Sequence, residues 1–334
     1  MHKKNVLRAG IIGNGNMGQV HSENLKVLAE EMQVEVTAAA DPNEELRNQA
    51  KKDWPEVKTY TDGLAMLENE ELDAVHICIP THLHMKYSVA ALERGIHVFT
   101  EKPVCLTKKE GEQLLKAEKQ SGKSVAVGQV VRYFKEYQYL KEIYDNRTYG
   151  ELKSLRLRRS GEYPSPWFLN SAKSGGVILD LHIHDVDFIK YLLGRPGSIK
   201  VYQTEFQEGT VNQILAEFRY GMIPVSAEAL WDVSPSAPFI AEYQACFEGG
   251  TLVYHNQKEN SLILYEQNGN VTYPDAAEEV IKVTKDKIAY YKEIEAFYQM
   301  LRTGEHKKIV RLEDALETMG ILWEEQRIGR NKKK

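Results

Sequence analysis

The pattern of hydrophobic and polar positions changes along the chain, and the change predicts two domains. In the first part, short runs rich in Val, Ile and Ala alternate with charged, helix-like segments, and most of these runs do not alternate in polarity. Continuous apolar runs are typical of strands buried on both faces, and their alternation with helices is typical of a parallel sheet. The pattern predicts an α/β domain with a doubly wound (Rossmann) parallel sheet over residues 1–127.

Six apolar runs are the expected strands of this sheet, at residues 8–13, 34–41, 57–60, 73–80, 96–103 and 124–129. The segment 107–122 is typical of a crossover helix, with Thr107 as its N-cap and Gly122 as its C-terminal stop.

Beyond roughly residue 150, longer stretches alternate in polarity, for example 199–207, 213–220 and 261–273. Such alternation indicates antiparallel strands with one buried face. Two segments with apolar residues three or four apart, 285–304 and 311–329, predict closing helices whose docking the pattern leaves open. We expect a second domain over residues 128–334, of the α+β class, with a large, mostly antiparallel open sheet.

Charge and composition narrow the class of partner. The formal net charge is −5, from 43 Lys and Arg against 48 Asp and Glu, which does not favour binding to nucleic acid. No apolar stretch reaches the roughly 18 residues of a membrane span, and the N-terminal residues lack the apolar core of a signal peptide. The 3 cysteines are far apart and give neither a disulfide framework nor a metal motif. We expect a cytoplasmic protein without metal, nucleic-acid or membrane partners.

A glycine-rich loop follows the first predicted strand directly. Its pattern, G-x-G-x-x-G, is typical of dinucleotide binding, because the glycines allow a tight turn and close approach of the backbone to a pyrophosphate. The alternative is a glycine-rich turn in another kind of α/β protein. The second strand ends at Asp41, where a carboxylate can bind both ribose hydroxyls. The expected cofactor residues here are Asp41, Gly13, Asn14, Gly15, Asn16, Met17 and Gly18.

Asp41 also favours NAD over NADP, because a carboxylate repels a 2′-phosphate. The residues that follow, Asp-Pro-Asn-Glu-Glu, offer no arginine to accept one, although Arg47 lies slightly farther on. We therefore expect NAD, with NADP as the alternative.

Polar residues also follow the fourth and fifth predicted strands. Ligands of a doubly wound sheet lie beyond the carboxyl ends of its strands, so Pro80, Thr81, His84, Glu101 and Lys102 are expected around the nicotinamide. His84 is equally typical of the first turn of an ordinary helix. Lys102 is equally typical of a surface lysine paired with Glu101. The Lys102–Pro103 peptide bond is a candidate for the cis form.

A third set of polar residues lies in the segment 174–194, which predicts a helix after two glycines. Asp180, His184 and Asp187 fall at i, i+4 and i+7, on one face. A carboxylate beside an imidazole is the arrangement of an oriented general base. A polar surface face of an ordinary helix would look the same. His182 points elsewhere, so a helical zinc pair is not expected.

The segment 158–176 is the expected substrate loop. Tyr163 and Trp167 are candidates for stacking on a sugar, and Arg156 or Arg158 for binding a phosphate or carboxylate. For each of them, simple loop packing is the alternative.

Three motifs in this order, "GIIGNGNMG", "EKP" and "GGVILDLHIHDVD", resemble those of the glucose–fructose oxidoreductase/inositol dehydrogenase (Gfo/Idh/MocA) family. The resemblance implies that Lys102, Asp180 and His184 form the catalytic set. It also implies a homodimer or homotetramer formed through the open sheet.

Two positions depart from the family's pattern. His182 replaces a glycine that many relatives have, and could narrow the pocket or touch substrate. The segment that follows Arg132 lacks the usual proline, while Arg132 itself remains a candidate for binding substrate.

The resemblance implies reversible NAD-linked oxidation of a secondary alcohol on a sugar, cyclitol or sugar derivative. His184 would take the hydroxyl proton, Lys102 would polarise the hydroxyl, and Asp180 would orient the substrate or the His–Lys pair. The alternatives are an NADPH-dependent reductase of a keto-sugar or diol, and a non-catalytic protein that senses cofactor or sugar.

Overall fold

A computed structural model describes residues 6–207, 210–232, 234–274 and 287–331. These residues divide into two compact units. The first takes its residues from 1–130 and 280–316, and the second from 131–279 and 317–334.

The first unit contains a six-stranded parallel sheet in the order β3-β2-β1-β4-β5-β6. Its central strands are largely buried on both faces, as their continuous apolar runs predict, whereas the edge strand Lys58–Tyr60 is partly exposed. The order reverses between β1 and β4, the switch point at which such sheets bind ligands. The strands are β1 Leu7–Ile12, β2 Val34–Ala40, β3 Lys58–Tyr60, β4 Ala74–Ile77, β5 His97–Glu101 and β6 Val125–Gly128. The predicted doubly wound sheet is confirmed.

The second unit contains an eight-stranded sheet in the order β14-β13-β12-β11-β7-β10-β9-β8. All neighbours are antiparallel except β7 and β10, which run parallel. The strands are β7 Leu152–Gly161, β8 Ser198–Gln207, β9 Thr210–Tyr220, β10 Ile223–Trp231, β11 Ile240–Phe247, β12 Gly250–His255, β13 Leu262–Glu266 and β14 Val271–Thr272. The predicted large, mostly antiparallel sheet is confirmed.

The helices are α1 Asn16–Glu31, α2 Glu44–Asp53, α3 Gly63–Asn69, α4 His84–Glu93, α5 Lys108–Ser121, α6 Lys135–Asp145, α7 Pro166–Leu169, α8 Ser171–Ser174, α9 Ile183–Leu193, α10 Ile288–Thr303 and α11 Leu312–Asn331. Helix α5 begins and ends as its sequence predicts. Thr107 and Glu110 form a capping box at its start, and Gly122 is left-handed at its end. None of the described helices is both long and apolar enough to cross a membrane.

Helix α10 belongs to the first unit, whereas the sequence-based division assigned its residues to the second domain. It packs against α1, and the guanidinium of Arg302 donates to the backbone carbonyls of Met32 and Gln33. Its apolar spacing predicts a helix but does not say which sheet the helix covers. The first two residues of the predicted segment 285–304 lie outside the described residues.

Candidate active site

The glycine loop between β1 and α1 has room for a pyrophosphate. Gly13 has a φ of +88°, and a Cβ there would lie 2.4 Å from the carbonyl oxygen of Cys78. A Cβ on Gly18 would lie 2.0 Å from the carbonyl oxygen of Gly13, so strand and helix can approach only if residue 18 is glycine. At Gly15 a Cβ would meet nothing within 4 Å. This open position and the tight positions around it fit the backbone cradle of a dinucleotide-binding loop.

The first turn of α1 leaves its N–H groups available to an anion. Gly15 caps the helix without a side-chain hydrogen bond, and the first turn contains no acidic residue. Unpaired N–H groups and the positive end of the helix dipole together favour a phosphate at this position.

Asp41, directly after β2, ties the glycine loop to its neighbouring strand. Its two carboxylate oxygens accept the backbone N–H groups of Asn14 and Asn43, each at 2.8 Å. A carboxylate has about four lone-pair positions, so Asp41 can still accept hydrogen bonds from ribose hydroxyls. Arg47 donates to the backbone carbonyl oxygens of Asp41 and Pro42, each at 2.9 Å, which places its guanidinium against the backbone just after β2.

His84 joins the segments that leave β4 and β5. Its Nδ1 lies 2.8 Å from the carbonyl oxygen of Pro103, and its Nε2 lies 2.6 Å from that of Ile79. Burial lowers the pKa of His84, and the two carbonyl oxygens act in the opposite direction. Pro80 is exposed, and Thr81 is buried in a short 3₁₀ turn, Thr81–Leu83. The predicted contacts of these residues with nicotinamide stay predictions.

Glu101 is the last residue of β5 and directly precedes Lys102, the predicted catalytic lysine. Its Oε2 accepts the backbone N–H of Lys102 at 3.2 Å, and its Oε1 lies 2.9 Å from Nε2 of His21. A Cβ on Gly128 of β6 would lie 3.0 Å from the same Oε1, so this glycine leaves room for the carboxylate. Lys102 is partly exposed, and the Lys102–Pro103 peptide bond is cis.

Asp180 lies in a π-helical turn, Ile178–His182, which continues directly into α9. The sequence predicts a regular helix here, and the π-helical geometry is a correction, because one wider turn has no marker in residue spacing. Such turns are rare and occur frequently at functional sites. Asp180 and His184 are still about one turn apart, and both side chains are partly exposed. Asp180 accepts a hydrogen bond from the indole N–H of Trp231 at 3.3 Å.

Asp187, the third member of the predicted polar face, is buried and binds side chains of its own unit. Arg132 donates to both of its carboxylate oxygens at 2.7 Å, and Thr318 donates to one of them at 2.8 Å. The guanidinium of Arg132 also lies over the ring of Tyr191. Arg132 therefore already has a carboxylate partner within its own unit, and its predicted contact with substrate stays a prediction.

His182 and Glu325 form a fully buried pair, each with 0% of its side chain exposed. Nε2 of His182 lies 3.2 Å from a carboxylate oxygen of Glu325 on α11. The histidine would have to leave this position to touch a ligand, and its predicted contact with substrate stays a prediction.

The predicted substrate loop presents two aromatic rings to solvent. Tyr163 is 44% exposed and Trp167 is 38% exposed. The Trp167 ring packs on Phe168, which in turn contacts Trp231. Arg158 lies near Glu228 and Glu242.

Arg156 lies in a groove of about 650 Å³ in the second unit, where Ser154, Lys200 and Glu217 also line the wall. Arg156 is exposed, whereas Leu155 and Leu157 on either side of it are buried, because successive side chains of a strand point to opposite faces.

Sequence reasoning missed four polar side chains that support these groups: Trp231, His21, His76 and Tyr298. His76 lies within an apolar strand, and His21 and Tyr298 lie within amphipathic helices. A single polar residue in such a run, as in the fourth strand "DAVHICIP", was the available signal.

Comparison with known proteins agrees with this geometry. Residues 7–129 match the oxidoreductase family with an NAD-binding Rossmann fold, GFO_IDH_MocA, and residues 137–252 match the C-terminal domain of the same family. The myo-inositol 2-dehydrogenase of Thermotoga maritima is 26% identical over 313 residues, which cover 90% of this chain and 89% of the relative. The scyllo-inositol 2-dehydrogenase (NAD(+)) of Bacillus subtilis is 27% identical over 223 residues, which cover 64% of each chain.

The fold is also that of the WlbA dehydrogenase from Bordetella pertussis, solved in complex with NADH and UDP-GlcNAcA. The TM-score is 0.83 at 17% identity, over 98% of this chain and 97% of the other. With both of its domains matched in order, the chain belongs to the GFO/IDH/MocA family of NAD-binding oxidoreductases.

Proposed function

We propose that this enzyme oxidises a secondary alcohol of a sugar or cyclitol reversibly to a ketone, with Lys102, Asp180 and His184 as its catalytic residues. The observation that carries the proposal is the position of Lys102 at the carboxyl end of β5, in the unit that holds the glycine cradle. Support from the second unit is the partly exposed Asp180 and His184 at the start of α9. The proposal requires these two sets of groups to meet at one substrate.

Each of the three side chains has a distinct task. His184 accepts the proton of the reacting hydroxyl, as an imidazole can near neutral pH. Lys102 donates a hydrogen bond to the hydroxyl oxygen and stabilises the negative charge that grows on it. Asp180, whose carboxylate is held by Trp231, accepts a hydrogen bond from the substrate or from His184 and fixes its orientation.

The glycine loop and Asp41 fit an NAD molecule, with the loop and the first turn of α1 at the pyrophosphate and Asp41 at the adenosine ribose. Bound NAD would accept the hydride that leaves the substrate carbon while the alcohol becomes a ketone. The protein contributes the position of the hydroxyl, the path of its proton and the exclusion of water.

The proposed substrate class rests on the relatives and on the loop. The Thermotoga maritima and Bacillus subtilis relatives are named for inositols. Exposed Tyr163 and Trp167 offer flat apolar surfaces of the kind that stack on the C–H face of a polyol ring.

A second candidate is an NADPH-dependent reductase of a keto-sugar or diol. Arg47 favours it, because its guanidinium binds the backbone just after β2, close in sequence to the carboxylate next to which a 2′-phosphate would have to bind. We favour NAD because two backbone N–H groups hold the Asp41 carboxylate in place, and its negative charge would repel that phosphate.

We also propose that a second copy of the chain covers the open sheet of the second unit. Large apolar side chains are exposed on its strands and turns, among them Tyr202, Tyr265 and Met222, the last in the turn between β9 and β10. Patches of this kind commonly mark protein interfaces. Light scattering behind a sizing column should give a dimer or tetramer, and a monomer at micromolar concentration would contradict the proposal.

The activity is tested by supplying NAD or NADP with inositols, hexoses and sugar acids and following absorbance of the reduced cofactor. We expect turnover with NAD and at least one cyclitol or sugar, and a preference for NADP over NAD would favour the reductase. Absence of turnover, together with a sugar that raises the melting temperature, would instead support a sensor. The control is Asp41→Ala, which should weaken NAD binding without changing the preferred sugar.

A further inference from the structure

A chain of hydrogen bonds runs through the interior of the first unit and ends at Glu101. The hydroxyl of Tyr298 on α10 lies 2.9 Å from Nε2 of His76 on β4. Nδ1 of His76 lies 2.8 Å from Nδ1 of His21 on α1, and Nε2 of His21 lies 2.9 Å from Oε1 of Glu101. All four side chains are buried.

Aromatic packing holds the middle of this chain in place. The His76 ring stacks against Phe99 and Tyr298, with ring planes 17° and 19° apart. His21 meets His76 and Phe99 edge to face. The two imidazoles therefore cannot turn without moving their neighbours, and the donor and acceptor roles of their nitrogen atoms depend on the tautomers alone.

The two ends of the chain require the same direction of donation. Within the described part of the structure, His76 is the only hydrogen-bond partner of the Tyr298 hydroxyl, so the buried O–H is satisfied only if it donates to Nε2 of His76. His76 then carries its proton on Nδ1 and donates to His21, which carries its proton on Nε2 and donates to Glu101. An ionised Glu101, which also accepts the N–H of Lys102, requires this same order.

The charges around the chain are consistent with a neutral imidazole at His76. Burial, and then the neighbouring His21, lower the pKa of His76 well below its ordinary value, so His76 stays neutral. Glu293 on α10 is 2% exposed, and neither of its carboxyl oxygens has a hydrogen-bond partner among the described residues. Burial, and then the charge of Glu101, raise the pKa of Glu293 well above its ordinary value. Glu101 is therefore the expected anion of this pair of carboxyl groups.

We propose that His76 and Tyr298 are positioning residues, which hold His21 in the tautomer that donates to Glu101 and thereby keep Glu101 ionised and fixed beside Lys102. The chain ends at a buried tyrosine, so it does not carry protons to solvent. The inference deepens the proposed function and depends on it for the kinetic readout only.

The groups that face Glu101 come from five parts of the first unit. His21 on α1 donates to it, Lys102 follows it in the chain, and Cys78, His84 and Glu293 interact with its charge from the end of β4, from α4 and from α10. Without a properly oriented donor from His21, the negative form of Glu101 loses a hydrogen bond and is less stable relative to its neutral form. Activity that requires ionised Glu101 would then fail at a higher pH than in the wild-type enzyme.

The tautomers can be measured without substrate. Long-range proton–nitrogen NMR of ¹⁵N-histidine-labelled protein distinguishes protonation at Nδ1 from protonation at Nε2. We expect the Nε2–H form for His21 and the Nδ1–H form for His76 at neutral pH, assigned with His21→Gln and His76→Asn. The opposite tautomers, or a doubly protonated ring at either position, would overturn the proposal whether or not the enzyme's substrate is known.

The kinetic experiment uses three variants. His76→Phe keeps a stacked ring but removes the ring nitrogen atoms. The acidic limb of the plot of kcat against pH should shift to higher pH by roughly one unit. His76→Asn keeps an N–H near the position of Nδ1 and should restore most of the wild-type profile. Tyr298→Phe should shift the acidic limb in the same direction by a smaller amount. This variant provides the test if His76→Phe does not fold. The KM for NAD should change little in all three variants.

The matched control is Glu293→Gln, which is nearly isosteric with the neutral carboxyl group and should leave the acidic limb in place. A purely structural role of the chain would lower protein yield or melting temperature and leave the pH profile of the surviving enzyme unchanged. An unshifted limb in both His76→Phe and Tyr298→Phe would therefore contradict the proposal.

Discussion

The two units hold their buried polar groups in different ways. In the first, two imidazoles and a phenol form a chain that ends at a single carboxylate, Glu101. In the second, full charges are buried in pairs, with Arg159 on Asp185 and Arg132 on Asp187. In our proposal, the first arrangement sets the ionisation and orientation of Glu101 beside Lys102. The second fixes the direction of the helix that carries His184, because both paired aspartates follow that histidine within one turn.

This difference predicts different costs when a member is removed. A neutral chain loses one hydrogen bond and leaves one polar atom without a partner. A buried ion pair leaves a whole charge in the interior, which is far more costly.

The largest effect is expected on kcat when a proposed catalytic residue of either unit is replaced. Lys102→Met and His184→Asn should each lower kcat by about 10² to 10⁴-fold, because each removes a group that stabilises or deprotonates the reacting hydroxyl. Affinity for NAD, measured by quenching of protein fluorescence, should change little. The control is Lys109→Met, at an exposed position of α5. Full activity in either variant would remove that residue from the catalytic set.

The next effect is on the ion pairs. Asp185→Asn leaves the buried Arg159 guanidinium, 2.8 Å from the carboxylate in the wild type, without its countercharge. The free energy of unfolding should fall by about 3–5 kcal/mol, as measured by urea unfolding followed by tryptophan fluorescence. Asp145→Asn, which breaks an exposed pair with Lys141 in the same unit, should cost less than about 1 kcal/mol. Equal losses in the two variants would contradict the comparison.

The neutral chain should be less sensitive. Tyr298→Phe leaves Nε2 of His76 without a donor and should cost about 1–3 kcal/mol in urea unfolding. Tyr87→Phe, which removes an exposed hydrogen bond to Asp62, is the control and should be close to neutral. If Tyr298→Phe costs as much as Asp185→Asn, the two units do not differ in the proposed way.

The last effect concerns the acid stability of the first unit and depends on a single, partly exposed histidine. Burial lowers the pKa of His97 from 6.5 to about 4, with Lys123 and His306 acting in the same direction. The unfolded chain therefore binds this proton first, and stability should fall as the pH falls from about 6.5 towards 4. His97→Asn, whose amide oxygen can accept the N–H of Ser124 in place of Nδ1, should flatten this part of the stability curve. An unchanged curve would show that His97 does not contribute.

Local features of the sequence predict much of the fold. The strands of the parallel sheet, the capping box at Thr107 and the glycine loop each depend on neighbouring residues, so spacing and residue type are sufficient to predict them. The docking of α10 depends on which sheet has an uncovered apolar face, and amphipathic spacing alone cannot show that.

The candidate site likewise contains residues that local motifs predict and residues that only the complete fold brings together. Motifs identify Lys102, Asp180 and His184, but their support comes from residues far apart in sequence. Glu101 is connected through His21 to His76 and Tyr298, which approach one another only after the sheet and helices have packed. The π-helical turn at Asp180 likewise has no local sequence marker.

The central claim is that Lys102 and His184 act on one hydroxyl of the substrate. A crystal structure of the enzyme with NAD and the best cyclitol or sugar from the substrate panel tests this claim most directly. We expect Nζ of Lys102 and one ring nitrogen of His184 within about 3.2 Å of the same hydroxyl oxygen, whose carbon faces the nicotinamide. A bound substrate that touches only one of the two groups, or neither, would contradict the account.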